Sequence, residues 1–384
     1  MNIKAISTNI GKALLINALF MFISIIISIV YGFDSAFTPL LISFLVTFIT
    51  GTFPFIFVKE RRTGSLQSGF LTIVLCWLFS FVFGMLPYVL WGGEFTIINA
   101  WFESVSGYTT TGSTILTDIE ALPKSLLFWR SSTHFIGGLG VIVFLLMILP
   151  EHSPAKLRLT HLELSTLSKE GYRYKTSTIT RVMLSVYSGL VLVETLLLWA
   201  AGMTLFDAVN HAFSTVATGG FSTKNTSIMH YDSALIDIII TVFMALSAMH
   251  FGVLFAIFAQ RSFKPLKHSV TKYYFGVIII SSLIISLSLK AQGDYESWGK
   301  AILDSTFQTI SYLTTTGFGQ ADNAFWPLLA NTVLLFAAIH CGCSGSTTGG
   351  IKADRMFIAF KAIQGDFQKR LHPSSLFRTK VGGK

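Results

Sequence analysis

Tyr108-Thr109-Thr110-Thr111-Gly112-Ser113-Thr114 decides how this chain is read. Hydroxyl side chains beside a glycine do not suit a lipid-facing helix. Related clusters return as Ala217-Thr218-Gly219-Gly220-Phe221-Ser222 and as Thr314-Thr315-Thr316-Gly317-Phe318-Gly319. Each follows a moderately apolar stretch that is too short to cross a bilayer, and each stands between two longer apolar runs. The Thr-Gly pairs at 111–112, 218–219 and 316–317 recur 107 and then 98 residues apart. One copy alone would be a turn at a helix end. Three copies in the same place within a two-span unit indicate duplication of that unit.

The surrounding composition names the solvent. Of 384 residues, 52% are hydrophobic and 12% are charged, and the mean hydropathy is +0.64. Soluble domains carry roughly 25% charged residues, so a soluble enzyme and a disordered chain are both excluded. Apolar runs at 13–31, 37–58, 70–91, 126–149, 182–202, 234–259, 272–289 and 325–341 predict eight spans, each near the ~20 residues that a membrane helix needs. The N-terminal run is too long for a signal peptide, and no small-residue cleavage site follows it.

Charge alternates between the connecting loops. Lys59, Arg61 and Arg62, then Lys156, Arg158, Lys169, Arg173 and Lys175, then Arg261, Lys264 and Lys267 fall in one set, with the basic tail after Gly350. The other set carries Glu94, Asp118, Glu120 and Asp322. Placing the basic loops in the cytoplasm puts both termini inside. The net charge of +9 is explained by that rule, and no aromatic-basic stripe suggests nucleic acid. Cys76, Cys341 and Cys343 have neither disulfide-framework nor metal spacing.

Within the bilayer, non-helical backbone survives only where it lines a cavity. A short helix aiming its carboxyl end at that cavity adds partial negative charge there. Glycine lets the following carbonyls turn inward. A ring of such oxygens replaces the hydration shell of a monovalent cation. The clusters hold no carboxylate, which argues against a divalent site. Glu103, in the first short helix, and Asp207 and Asp304, just before theirs, are read as drawing cations to the vestibule or as capping helix starts.

The sequence resembles the Trk/Ktr/HKT potassium transporter superfamily, most closely its TrkH type of bacterial subunit. Ser106-Gly-Tyr-Thr-Thr-Thr-Gly112-Ser, Phe213-Ser-Thr-Val-Ala-Thr-Gly219-Gly-Phe-Ser-Thr223, Leu313-Thr-Thr-Thr-Gly317-Phe and Gly342-Cys-Ser-Gly-Ser-Thr-Thr-Gly-Gly-Ile-Lys352 carry the likeness. Leu126-Leu-Phe-Trp-Arg130 and Gly137-Gly-Leu-Gly140 add to it. The resemblance implies an all-α membrane protein with two N-terminal helices and helix–pore-loop–helix repeats around a pseudo-four-fold cation pore. The units are 1–62 for the extension, 63–155, 156–265 and 266–371 for three pore repeats, and 372–384 for a cytoplasmic tail. It further implies potassium uptake across the cell inner membrane, homodimerisation, and a cytosolic TrkA-type nucleotide-binding ring as partner. No cofactor and no catalysis are expected; potassium is the transported ligand and lipid the surrounding partner. The filter oxygens carry over onto Thr110, Thr111 and Gly112, onto Ala217, Thr218 and Gly219, and onto Thr315, Thr316 and Gly317. The family has four pore repeats and three are found here; the spacing would put a fourth filter glycine beyond Lys384. A C-terminally truncated, non-conducting fragment is therefore the alternative expectation.

His340-Cys-Gly-Cys-Ser-Gly-Ser-Thr-Thr-Gly-Gly350 interrupts the last span. A segment so rich in glycine and hydroxyls predicts unwound backbone facing the pore. The resemblance makes it an intramembrane gate, with Gly342, Ser344, Gly345, Ser346, Gly349, Gly350 and Arg355 as its residues. Arg355 either shapes the cation barrier or anchors a helix end; Lys352 is read as an interfacial anchor. Gly342-Cys-Ser344-Gly345 also matches the nucleophile signature of rhomboid-type intramembrane serine proteases, a remote alternative that needs a histidine base at the same depth.

Overall fold

The computed structural model describes residues 3–58, 66–148, 176–258, 261–293 and 295–371. It is all-helical, with no strand among those residues. The helices are α1 (Ile3–Val30), α2 (Phe37–Phe57), α3 (Leu66–Gly84), α4 (Leu86–Trp91), α5 (Ile97–Tyr108), α6 (Lys124–Ile148) and α7 (Thr176–Ala200). There follow α8 (Leu205–Val216), α9 (Ala234–Ser247), α10 (Phe251–Phe258), α11 (Ser269–Gln292), α12 (Trp298–Leu313), α13 (Leu328–His340) and α14 (Ala353–Leu371). The unit boundaries at 62–63 and 155–156, the tail 372–384, the basic residues Lys59, Arg61 and Arg62, and those from Lys156 to Lys175 lie outside the described residues.

The packing is that of a bilayer protein. Helix α2 buries Leu40, Ser43, Thr47, Gly51 and Pro54 at helical spacing, while Ile49, Ile56 and Phe57 are each more than 60% exposed. In water this face assignment would be inverted. In lipid, small residues mediate helix contact because tails solvate the large ones. Gly51 meets Gly11 of α1, where an added Cβ would stand 2.6 Å from the Gly51 carbonyl oxygen. Deeper in α1, buried Asn17 donates to Ser80 Oγ of α3 at 3.1 Å. Asp34, between α1 and α2, accepts from Ser28 Oγ at 2.6 Å, Ser125 N at 3.0 Å and Ser125 Oγ at 2.7 Å. It thereby caps α6 and ties the two-helix extension to the first pore unit.

Each pore unit runs helix, short helix, loop, helix. Helix α3 with α4, then α5 and α6 form the first; α7, α8 and α9 the second; α11, α12 and α13 the third. The short helices begin at side-chain caps: Thr96 accepts from Asn99 N, Thr204 from Asp207 N and Ser297 from Gly299 N.

Two expected spans are not continuous. The run 234–259 is broken at 248–250, and α9 and α10 meet at a bend of 111°. The run 325–341 yields the 13-residue α13, too short to cross alone, after which the chain unwinds. Among the described residues, five helices are long and apolar enough to span, or six with the bent pair. The 25-residue α6 and short α13 hold the other two expected positions.

Candidate functional site

The carboxyl ends of α5, α8 and α12 run into three loops with one backbone form. Counting from each helix end, Thr110, Thr218 and Thr315 are left-handed at φ 53°, 54° and 55°, and Gly112, Gly220 and Gly317 at φ 76°, 86° and 80°. The N–H of Thr110, Thr218 and Thr315 reaches back three residues, to Gly107, Thr215 and Tyr312. The next N–H, of Thr111, Gly219 and Thr316, reaches back five, to Ser106, Ser214 and Ser311. A threonine held left-handed costs on the order of 1 kcal/mol. Three such residues at one position mark a turn that the surroundings impose.

This geometry corrects the register of the second loop. Aligning Thr-Gly pairs sets Ala217-Thr218-Gly219 against Thr110-Thr111-Gly112. By backbone, Ala217 is the helix C-cap, the counterpart of Thr109 and Thr314. The matching triplet is Thr218-Gly219-Gly220. Thr218-Gly219-Gly220 offers two glycines, and the sequence alone prefers neither.

The loops interlock. A Cβ on Gly112 would overlap the Gly219 carbonyl oxygen, and one on Gly220 would overlap that of Thr316. The glycine of one loop therefore seats the carbonyl of the next. Gly317, third in the series, faces open space among the described residues.

Behind each loop, a buried polar side chain five residues before the helix end reaches the segment that follows. Glu103 accepts from Thr114 Oγ1 at 3.0 Å on both carboxylate oxygens and from Ile115 N at 3.3 Å. His211 Nε2 lies 2.9 Å from Ser222 Oγ, and Gln308 Nε2 donates to Ala321 O at 3.0 Å. A second rung lies nearer the helix start. Asp207 accepts from Thr223 Oγ1 at 2.6 Å and Thr204 Oγ1 at 2.9 Å. Asp304 accepts from Gln320 Nε2 at 3.0 Å and Tyr295 OH at 2.9 Å. Glu103 is fully buried, so its carboxylate struts a loop and does not face a vestibule.

Two residues of α6 complete the scaffold, and sequence reading assigned neither a role behind the loops. Arg130 is 2% exposed and bonds Glu103 Oε1 from Nε at 2.5 Å. His134 Nδ1 lies 2.9 Å from Ser214 Oγ, and its ring stacks on Phe221 at 4.0 Å. Ser106 and Ser311 instead donate to the carbonyls of Ser113 and Phe318. Both partners lie far from α6 in sequence, so only the position of Arg130 in an apolar run signalled them.

The glycine-rich segment is unwound from Cys341 to Lys352, with left-handed backbone at Cys341, Gly345, Gly350 and Lys352. It docks into the α9–α10 break. Cys343 N donates to Ala248 O at 2.9 Å, and Phe251 N donates to Gly345 O at 3.1 Å. The segment thereby satisfies backbone groups that the bend frees. Thr347 Oγ1 donates to Val216 O at 3.1 Å and lies 3.4 Å from Ser247 O. Gly349 N donates to Thr315 Oγ1 at 3.1 Å. Ala353 N donates to Gly342 O at 2.8 Å, and Ser344 N to Asp354 Oδ2 at 2.6 Å. A 420 Å³ cavity separates the segment from the first loop, with Thr110, Gly138, Ser344, Ser346, Gly350 and Arg355 in its wall. Lys352 also lines it, and its ammonium donates to the Thr348 carbonyl. His250 abuts Gly345, and no histidine hydrogen-bonds the Ser344 hydroxyl among the described residues, so the protease constellation is not assembled.

Comparison with known proteins agrees with this geometry. Residues 39–384 match the model of the TrkH family, described as cation transport protein. The Trk system potassium uptake protein TrkH of Salmonella typhimurium is 32% identical over 391 residues, covering 100% of this chain and 80% of that protein. TrkG of Escherichia coli K12 is 34% identical over 323 residues, 83% of this chain and 66% of that protein. The crystal structure of the potassium transporter TrkH from Vibrio parahaemolyticus superposes with a TM-score of 0.88 at 30% identity, over 100% of this chain and 80% of that one.

Proposed function

The chain belongs to the TrkH family of cation transport proteins, and from that premise we propose how its loops and glycine-rich segment serve potassium uptake. It is a membrane-embedded pore subunit of a Trk-type potassium uptake system, and not an enzyme. The observation that carries the further reading is the threefold backbone turn, in which the glycine of one loop seats a carbonyl of the next.

The filter is formed by carbonyls of Thr110, Thr111 and Gly112, of Thr218, Gly219 and Gly220, and of Thr315, Thr316 and Gly317. The carboxyl ends of α5, α8 and α12 face it, so partial negative charge meets a cation without any ionised ligand. Gly317 has open space where the other two glycines have a neighbour. A fourth loop of the same form, from further chain or a second polypeptide, fits that side.

The segment 341–352 is the gate. Gly342, Ser344, Gly345, Ser346, Gly349 and Gly350 supply its backbone freedom and polar face, and Arg355 sets a positive barrier beside the cavity. Its bonds to Val216, Ser247, Ala248 and Thr315 are those that opening must break. The protein sits in the cytoplasmic membrane with both termini inside, works as a homodimer, and is gated by a TrkA-type cytosolic ring. Charge alternation between loops supports the orientation.

Potassium uptake in a transport-deficient bacterium that supplies the cytosolic ring tests this reading. Growth at low potassium when a fourth loop completes the ring of loops, and its loss in Gly112→Ala, is the expected result. Uptake that is indifferent to the loop glycines would overturn the filter assignment.

A further inference from the structure

The pair Glu103–Arg130 reaches beyond its own loop, and that sets it apart from the struts of the other units. Glu103 holds Thr114 and Ile115 behind the first loop. Arg130 Nη1 donates to Ser222 O behind the second loop at 3.1 Å. Its guanidinium lies over the Phe221 ring at 3.5 Å from the centroid. His134, one turn further along α6, stacks on the same ring. One buried ion pair thus joins the trailing segments of two loops whose glycine and carbonyl already touch at Gly112 and Gly219. Among the described residues, His211 and Gln308, at the equivalent position, each reach only the segment that follows their own loop.

A buried ion pair adds little net stability, because desolvation offsets the attraction. Its contribution here is geometric. The planar guanidinium fixes two partners and a ring at set angles, which an ammonium cannot do. The charges cancel within the pair, so a cation beside the loops meets no net repulsion from Arg130.

We propose that Glu103 and Arg130 are positioning residues for ion discrimination: the pair holds the first and second loops in one register and so fixes how closely their carbonyls approach a cation. The inference rests on the reading of the loops as a filter.

The test uses the full chain in lipid nanodiscs and reads unfolding temperature during KCl and NaCl titrations, with choline chloride keeping ionic strength constant. Wild type is expected to reach half-maximal stabilisation at lower KCl than NaCl. Arg130→Lys keeps the charge but loses the reach to Ser222 and the stack on Phe221. Its preference for potassium over sodium should shrink by roughly tenfold, the factor carried by about one charge-assisted hydrogen bond. Thr114→Val, which removes one hydroxyl from Glu103 and leaves both charges, should shift the ratio in the same direction and decides the matter if Arg130→Lys does not fold. A folded variant with the wild-type ratio overturns the proposal. No ion preference in wild type would overturn the filter reading and this inference with it.

Discussion

Gly345→Ala should spring the glycine-rich segment from its seat. Gly345 has φ +75°, and a Cβ there would stand 2.7 Å from His250 Cδ2 and 2.8 Å from its Nε2. Alanine in the left-handed region costs about 1 kcal/mol or more. The overlap is at least about 0.8 Å inside the ~3.5 Å at which carbon atoms rest, and His250 is buried with little room to retreat. Together the two effects amount to roughly 2 kcal/mol against the docked state, a shift of about 30-fold in its equilibrium. The native thiols report that equilibrium without any need for ion flow. Cys341 is fully buried and Cys343 is 5% exposed while the segment is docked. In a Cys76→Ala background, maleimide labelling of Cys341 and Cys343 in nanodiscs should therefore run roughly 30-fold faster in Gly345→Ala than in the parent. A labelling rate equal to the parent's would refute the idea that this seat holds the segment closed.

Other substitutions follow the same geometry. Thr347→Val removes the hydroxyl that bonds Val216 O and contacts Ser247 O; it should destabilise the docked segment by about 1 kcal/mol and raise potassium leak in cells lacking the cytosolic ring. Gly220→Ala should abolish potassium-dependent growth, since its Cβ would fall on the Thr316 carbonyl; Ala217→Ser, at a C-cap position, should preserve it. Asp34→Ala strips three hydrogen bonds, two of them between the N-terminal extension and α6, and should lower stability by roughly 2–3 kcal/mol, read as a drop in unfolding temperature in detergent.

Much of the fold was legible because bilayer physics leaves a strong imprint. Twenty-residue apolar runs and a repeated hydroxyl-glycine cluster need no tertiary context to be seen. The second loop's register was not legible, because Thr218-Gly219-Gly220 satisfies two alignments and only backbone dihedrals choose between them. The bend at 248–250 was hidden for another reason. Ala248-Met249-His250 contains neither glycine nor proline, and the apolar run continues through it. What stabilises the bend is a segment about 90 residues further on. The strut from Glu103 to Arg130 was invisible in the same way: each residue could be noticed, yet their pairing spans 27 positions and a loop. Local pattern identifies membrane helices; it does not identify which buried charge answers which.

The docking of 341–352 into the α9–α10 break has a consequence for how the protein is made. Ala248 O and Phe251 N find their partners on Cys343 and Gly345, which the ribosome adds about 90 residues later. At ~5–20 residues per second that is a wait of roughly 5–20 s. Throughout it, lipid offers those backbone groups nothing to bond. The α9–α10 span must therefore enter the membrane unbent, or shelter against the insertion machinery, and acquire its corner only when the third unit arrives. Assembly then has an obligatory order, with the final shape of an early segment written by a late one.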